Sequence, residues 1–258
     1  MTKVILVFLS LSLFVPFNNY GQSTSDIDYN QVSQDLLQAI KDGSDTKEYR
    51  DVIESSSIED LEKGLQSNDQ KLAFWINIYN SYIIMTLQDS PELYEDRKTF
   101  FKEDRILVGG ELVSFAKIEH GVIRRSQWDL GLGLIRKPFP GGWERKLRVD
   151  KKDYRIHFAL NCGAKACPPV TIYDPENLEK QFAYMTEKYL SENTEYNKEE
   201  NKVTTTPLFS WFRGDFGCKK GVKKILASHG LVPSKKVNLN FKGYDWTLDI
   251  DNFVEIPQ

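Results

Sequence analysis

Histidine and cysteine are scarce in this chain, with three of each in 258 residues, so imidazole or thiol chemistry has few places to reside. Neither sign of charge dominates: 34 Lys and Arg stand against 37 Asp and Glu, a net charge of −3. The basic excess typical of nucleic-acid-binding domains is missing, so nucleic acid is not an expected partner. After Phe17 no apolar run approaches the roughly 20 residues a membrane-crossing helix needs. The chain also lacks a glycine-rich phosphate loop, a dinucleotide fingerprint and a serine-nucleophile elbow, and no cofactor is called for. It has no internal repeat, low-complexity tract or obvious linker. What is present is 40% hydrophobic and 12% aromatic residues, which excludes an intrinsically disordered chain.

The first 21 residues read as a secretory signal peptide. Lys3 supplies a positive start, Val4 to Phe17 an apolar core and Asn18-Asn19-Tyr20-Gly21 a small polar exit, with cleavage expected near Gly21. The apolar run is too short for a membrane anchor. The mature chain is therefore expected to be soluble and exported, periplasmic or secreted, where disulfides persist.

Residues 22–67 have a helical rhythm, with Val32, Leu36, Leu37 and Ile40 at helical spacing and a start signal at Ser57-Ile58-Glu59-Asp60. From 68 to about 88, apolar residues cover nearly the whole circumference of a predicted helix capped by Asn68 or Asp69, which places it at the centre of the core. Arg105 to Phe115 predicts a hairpin around Gly109-Gly110, and Ser114 caps a short helix through Ile123. Residues 126–152 read as a long surface loop, Tyr154–Leu160 as a strand, and Asp174-Pro175-Glu176 as the opening of a helix to Leu190. A strand at Lys202–Thr205, two short helices and a last strand at Tyr244–Leu248 complete the chain. The expected class is α+β: a single domain with a small antiparallel sheet and several helices packed around one buried central helix.

Three segments stand apart: Phe74-Trp75-Ile76-Asn77-Ile78-Tyr79-Asn80, Ile118-Glu119-His120-Gly121, and Arg155 through Pro169, which includes His157, Asn161-Cys162-Gly163 and Cys167-Pro168-Pro169. Together and in this order they resemble the bacterial and plant family called domain of unknown function 547. The resemblance runs from about residue 68 to 190, with weaker likeness at Leu208–Phe216 and Tyr244–Leu248. It implies a shared pattern, and the family's name implies no activity, so the chemistry rests on the residues themselves.

Cys162, expected at a turn after a strand, is the candidate nucleophile, provided a base or a positive environment lowers its pKa. An extended chain would hold His157 roughly 16 Å from Cys162, which favours His120 as the base. A chain folding back at Asn161-Cys162 would return His157 to the site. Glu119, about 100° away on a helix, is a poor orienting partner for His120. Asn161 or Asn77 could orient the base or stabilise an oxyanion. For Asn77 and Asn80 the simpler role is bonding loop backbone, because amides on an apolar helix must find partners.

These residues support three readings. The first is a thiol-dependent hydrolase or acyltransferase using Cys162 with His120 or His157. It departs from the papain-like and transglutaminase-like pattern, because Pro168-Pro169 stops any long helix after the cysteine. The second is a non-catalytic exported binding domain with a Cys162–Cys167 disulfide, since five residues is a feasible separation for a bridge. The third is a zinc-dependent enzyme drawing on His120, His157, Cys162 and Cys167. The expected ligand is a small molecule, peptide or glycan. The basic loop with Arg136, Lys137, Arg145, Lys146, Arg148, Lys151, Lys152 and Arg155, together with Trp143, reads as a solvated loop, with lipid headgroups or an acidic glycan as the rival partner.

Overall fold

Residues 27–257 are described by a computed structural model, and the expected signal peptide lies outside them. Three helices come first: α1 (Tyr29–Asp42), α2 (Lys47–Ser55) and α3 (Ile58–Gly64). Asp28 caps α1 by accepting the Gln31 N–H, and Ser57 with Asp60 forms a reciprocal capping box on α3. Helix α4 (Asn68–Asp89) starts from a second capping box, Ser67 with Gln70, and not from Asn68 or Asp69. The Asn68 side chain is used elsewhere, accepting the backbone N–H groups of Asp150 and Lys151 at 2.8 and 3.0 Å.

Helix α4 is the buried central helix that its all-round apolar surface predicts. Every residue from Leu72 to Ile84 is buried. Tyr29, Leu36 and Leu37 of α1 belong to the same core. Helix α5 (Arg97–Lys102) leads to a hairpin of β1 (Ile106–Val108) and β2 (Glu111–Val113), antiparallel with Ile106 opposite Val113. Ser114 then caps the next helix, as expected, but Lys117–Ile123 is wound as a π-helix, with Arg124 N–H bonding to the Glu119 carbonyl five residues back.

Three expectations for residues 126–192 are corrected. The region 126–152 holds a short helix, α6 (Gly142–Leu147). Tyr154–Phe158 is a 3₁₀-helix and not a strand. Ile156, His157 and Phe158 are buried in succession, which a strand's alternation does not provide, and the Asp153 carboxylate accepts the Arg155 N–H to start the turn. Helix α7 (Leu178–Glu192) begins after Pro175-Glu176-Asn177, because Asp174 accepts the Glu176 N–H and holds those residues in a turn.

The chain closes with β3 (Glu195–Asn197), β4 (Lys202–Thr205), α8 (Leu208–Trp211), α9 (Cys218–Ser228) and β5 (Asn238–Phe241). The sheet order is β3-β4-β5, with β3 antiparallel and β5 parallel to β4, so this sheet is mixed where an antiparallel one was expected. Tyr244–Leu248 is not a sheet strand. It straps the 163–170 segment, with Lys165 and Ala166 N–H groups bonding to the Thr247 and Asp245 carbonyls. A second, smaller core forms around Phe158, Phe209, Phe216 and Leu226. The architecture is one α+β domain with two small sheets.

Candidate functional site

The three segments singled out in the sequence and the two of weaker likeness meet at one cavity of about 470 Å³. Helix α4 contributes Tyr79, and the π-helix contributes Glu119 and His120. His157 comes from the 3₁₀-helix, with Leu160, Cys162, Cys167 and Pro168 following it. Trp211 and Phe212 close one side, and Tyr244 and Trp246 on the C-terminal strap close another.

Behind the cavity wall, bonded to its lining residue His157, is a carboxylate that sequence reasoning missed. Asp215 accepts from Arg124 Nε at 2.8 Å, from His157 Nε2 at 3.0 Å and from Lys152 Nζ at 2.8 Å. Burial pushes its pKa up, but the His157 hydrogen bond and the Arg124 charge outweigh that and hold the carboxyl well below its usual range. An ionised Asp215 can only accept, so His157 Nε2 carries a proton and, in the neutral ring, Nδ1 is left as the lone-pair nitrogen. His157 stacks on Phe212 with ring centroids 4.0 Å apart. Its burial lowers its pKa, an effect the Asp215 hydrogen bond opposes, and the net direction is toward the neutral form.

His120 has the opposite tautomer. Its Nδ1 lies 2.8 Å from Arg124 Nη1, and a guanidinium can only donate, so in the neutral ring the proton resides on Nε2. Burial again lowers this pKa, with Glu119 opposing. Contrary to the helical-wheel expectation, Glu119 does approach His120, Oε1 to Nδ1 at 3.4 Å, because the wider π-turn changes the angle between neighbouring residues. The two histidines are therefore linked through Arg124 and Asp215, one offering a lone pair and the other an N–H.

Cys162 and Cys167 are joined as a disulfide with Cα atoms 6.2 Å apart. Cys167 is 4% exposed, and its sulfur accepts from the Tyr244 hydroxyl at 3.2 Å and the Cys162 N–H at 3.0 Å. Cys162 is half-buried and Cys218 is free and exposed. Gly163 has φ +84°, and a Cβ there would lie 2.8 Å from Leu87 of α4, so the loop's close approach to the central helix requires glycine. Among the described residues, no group of three or more His, Cys, Asp or Glu is arranged to hold a metal ion, so the four zinc donors considered from sequence do not form such a group.

The asparagines lie behind the cavity. Asn77 donates to the Tyr173 carbonyl and accepts the Tyr173 N–H, at 2.8 and 2.9 Å. Asn80 donates to the Ala159 carbonyl and accepts the Asn161 N–H, at 3.0 and 2.9 Å. Asn161 donates to the Pro168 carbonyl and accepts the Gly163 N–H, so its amide closes the cysteine loop. All three amides are engaged with backbone, the simpler role considered for Asn77 and Asn80.

Arg97 also escaped sequence reasoning. It lies over the Trp246 ring at 4.8 Å and has no carboxylate partner among the described residues. Asp215 and Arg97 carry no local signal, since each acquires its role from residues distant in sequence.

The motif-bearing segment, residues 63–190, matches the model of a family described as protein of unknown function, DUF547. This segment is a DUF547 domain. No curated protein and no solved structure matches the chain. The DUF547 match covers α4, the π-helix and both bridged cysteines, whereas Trp211 and Tyr244 reach the cavity, and Asp215 reaches His157, from beyond its end.

Proposed function

We propose that this DUF547 protein is an exported thiol-dependent hydrolase or acyltransferase whose nucleophile, Cys162, acts once an external dithiol has reduced its bridge to Cys167, the dithiol leaving as its own disulfide and the two cysteines as thiols. The reading rests on one observation: Cys162, His157 and His120 line a single cavity, with Asp215 bonded to His157. In the proposed cycle His157 Nδ1 takes the Cys162 proton and the sulfur attacks an ester or amide carbonyl. The carbonyl π-electrons move to oxygen, where His120 Nε2–H donates a hydrogen bond. Collapse expels the alkoxide or amine, which recovers the proton from His157. Water, deprotonated by the same nitrogen, or an acceptor alcohol then releases the acyl group. Asp215 fixes the His157 tautomer and Arg124 fixes that of His120; Asn77 and Asn161 are positioning residues.

The observed Cys162–Cys167 bridge favours a second reading, a binding domain whose loop is stapled. Alkylation of the native protein with peptide mapping separates the two. Untreated protein should label only at Cys218. After mild reduction Cys162 should label with a midpoint well below pH 8, and His157→Asn should raise that midpoint. A Cys162 that stays inert after reduction, or titrates like a free thiol in both proteins, supports the stapled binding domain and refutes catalysis.

A further inference from the structure

Five of the eight large hydrophobic side chains that the described chain exposes fall between residues 128 and 139: Trp128, Leu130, Leu134, Ile135 and Phe139, the last 87% exposed. They are held out by a built loop. Trp128 N–H bonds to the Ile135 carbonyl at 3.0 Å, Leu134 N–H to Gly131 at 2.8 Å, and Lys137 N–H to Ser126 at 2.8 Å. The loop is keyed to the cavity: Gly214 N–H bonds to the Leu132 carbonyl at 2.9 Å, and a Cβ on Gly133, at φ +79°, would lie 2.8 Å from the Asp215 nitrogen. Leu132 and Asp129 line the cavity itself.

The charge left unpaired in this stretch has one sign. Each acid in the 126–152 stretch is matched: Asp129 by Lys102, Glu144 by Lys137 and Asp150 by Lys71. Exposed Arg136 and Arg145 have no carboxylate partner among the described residues; Arg145 donates only to the Pro140 carbonyl. Exposed Trp, Leu and Phe beside unmatched arginine is the composition that seats a protein in the headgroup layer of an anionic membrane. A second copy is a poor occupant, because a two-fold contact through this face sets arginine against arginine. A glycan offers nothing to the projecting leucine and isoleucine side chains.

We infer that the 128–139 loop docks on the surface of an anionic phospholipid bilayer, its apolar side chains entering the headgroup layer and Arg136 meeting phosphate. Docking there brings the cavity mouth to the lipid surface through Leu132 and Asp129. Resting on the acyl-transfer reading, this makes the substrate class an amphiphile resident in that interface.

The test is co-sedimentation of the reduced and unreduced protein with phosphatidylcholine vesicles and with mixed phosphatidylglycerol/phosphatidylcholine vesicles. Partition should favour the anionic vesicles and weaken with salt. L134S/F139S and Arg136→Glu should each lower it at least about tenfold, and Trp128 emission should shift to the blue on binding. Circular dichroism checks that the variants fold, which is expected for side chains this exposed. Equal partition to both vesicle types, or unchanged partition in L134S/F139S, overturns the inference. So does a concentration-dependent dimer that L134S/F139S converts to monomer. Vesicle binding needs no turnover, so inert Cys162 with intact partition refutes the acyl-transfer reading alone, and lost partition with reactive Cys162 refutes the docking alone.

Discussion

Replacing Asp215 with asparagine should destabilise the protein by about 3–4 kcal/mol, because it strands a buried cation. Asp215 and Arg124 have side chains 5% and 2% exposed and meet at 2.8 Å. The amide can keep one hydrogen bond to Arg124 or His157 but removes the charge that balances the guanidinium. The nearest remaining carboxylate, Glu119 Oε1, is 3.9 Å from Arg124 Nη1 and does not replace it. The Lys152 contact contributes little, since that side chain is 29% exposed and its charge returns to water. For a domain of this size, the loss corresponds to a fall in Tm of about 10 °C, read by circular dichroism at pH 7 and by urea titration. Arg124→Met combined with D215N should recover part of the stability, because removing both members of a buried pair is cheaper than removing one. A D215N protein within about 1 kcal/mol of the parent would refute the view that this carboxylate organises the site.

Two further outcomes follow from the same geometry. Asn80→Ala leaves the Ala159 carbonyl and Asn161 N–H without partners in a buried place, and should cost about 3 kcal/mol in urea titration; a loss under about 1 kcal/mol would mean water replaces the amide. Acid should destabilise the protein below the ordinary histidine pKa. Burial lowers both His120 and His157, so the unfolded chain takes up protons first as pH falls. Stability should be full above about pH 6.5, decline through the interval beneath it, and decline less steeply in His157→Gln; Tm unchanged from pH 7 to 5 would contradict the depressed pKa values.

Local signals carried much of the fold. The all-round apolar surface of α4 and the Ser57 start signal needed no tertiary information, because burial and capping are written within one turn of the residues concerned. The Tyr154–Leu160 error shows the limit: a short apolar run is compatible with a strand or a tight helix, and burial on successive residues distinguished them. That difference also returned His157 to the site. An extended chain had carried His157 away from Cys162, while the 3₁₀ turn lets both line one cavity.

By itself the sequence determined which side chains had to be noticed. Three histidines and three cysteines leave few candidates, and two of each fall within motifs shared with DUF547. Tertiary structure decided what those residues can do. It paired His157 with Asp215 across 58 residues, gave the two imidazoles opposite tautomers through Arg124, and folded the C-terminal strap over the cysteine loop. Side-chain periodicity reports whether a residue is buried, but a proton's position depends on which donor or acceptor lies against it, and that neighbour is chosen only when distant segments pack.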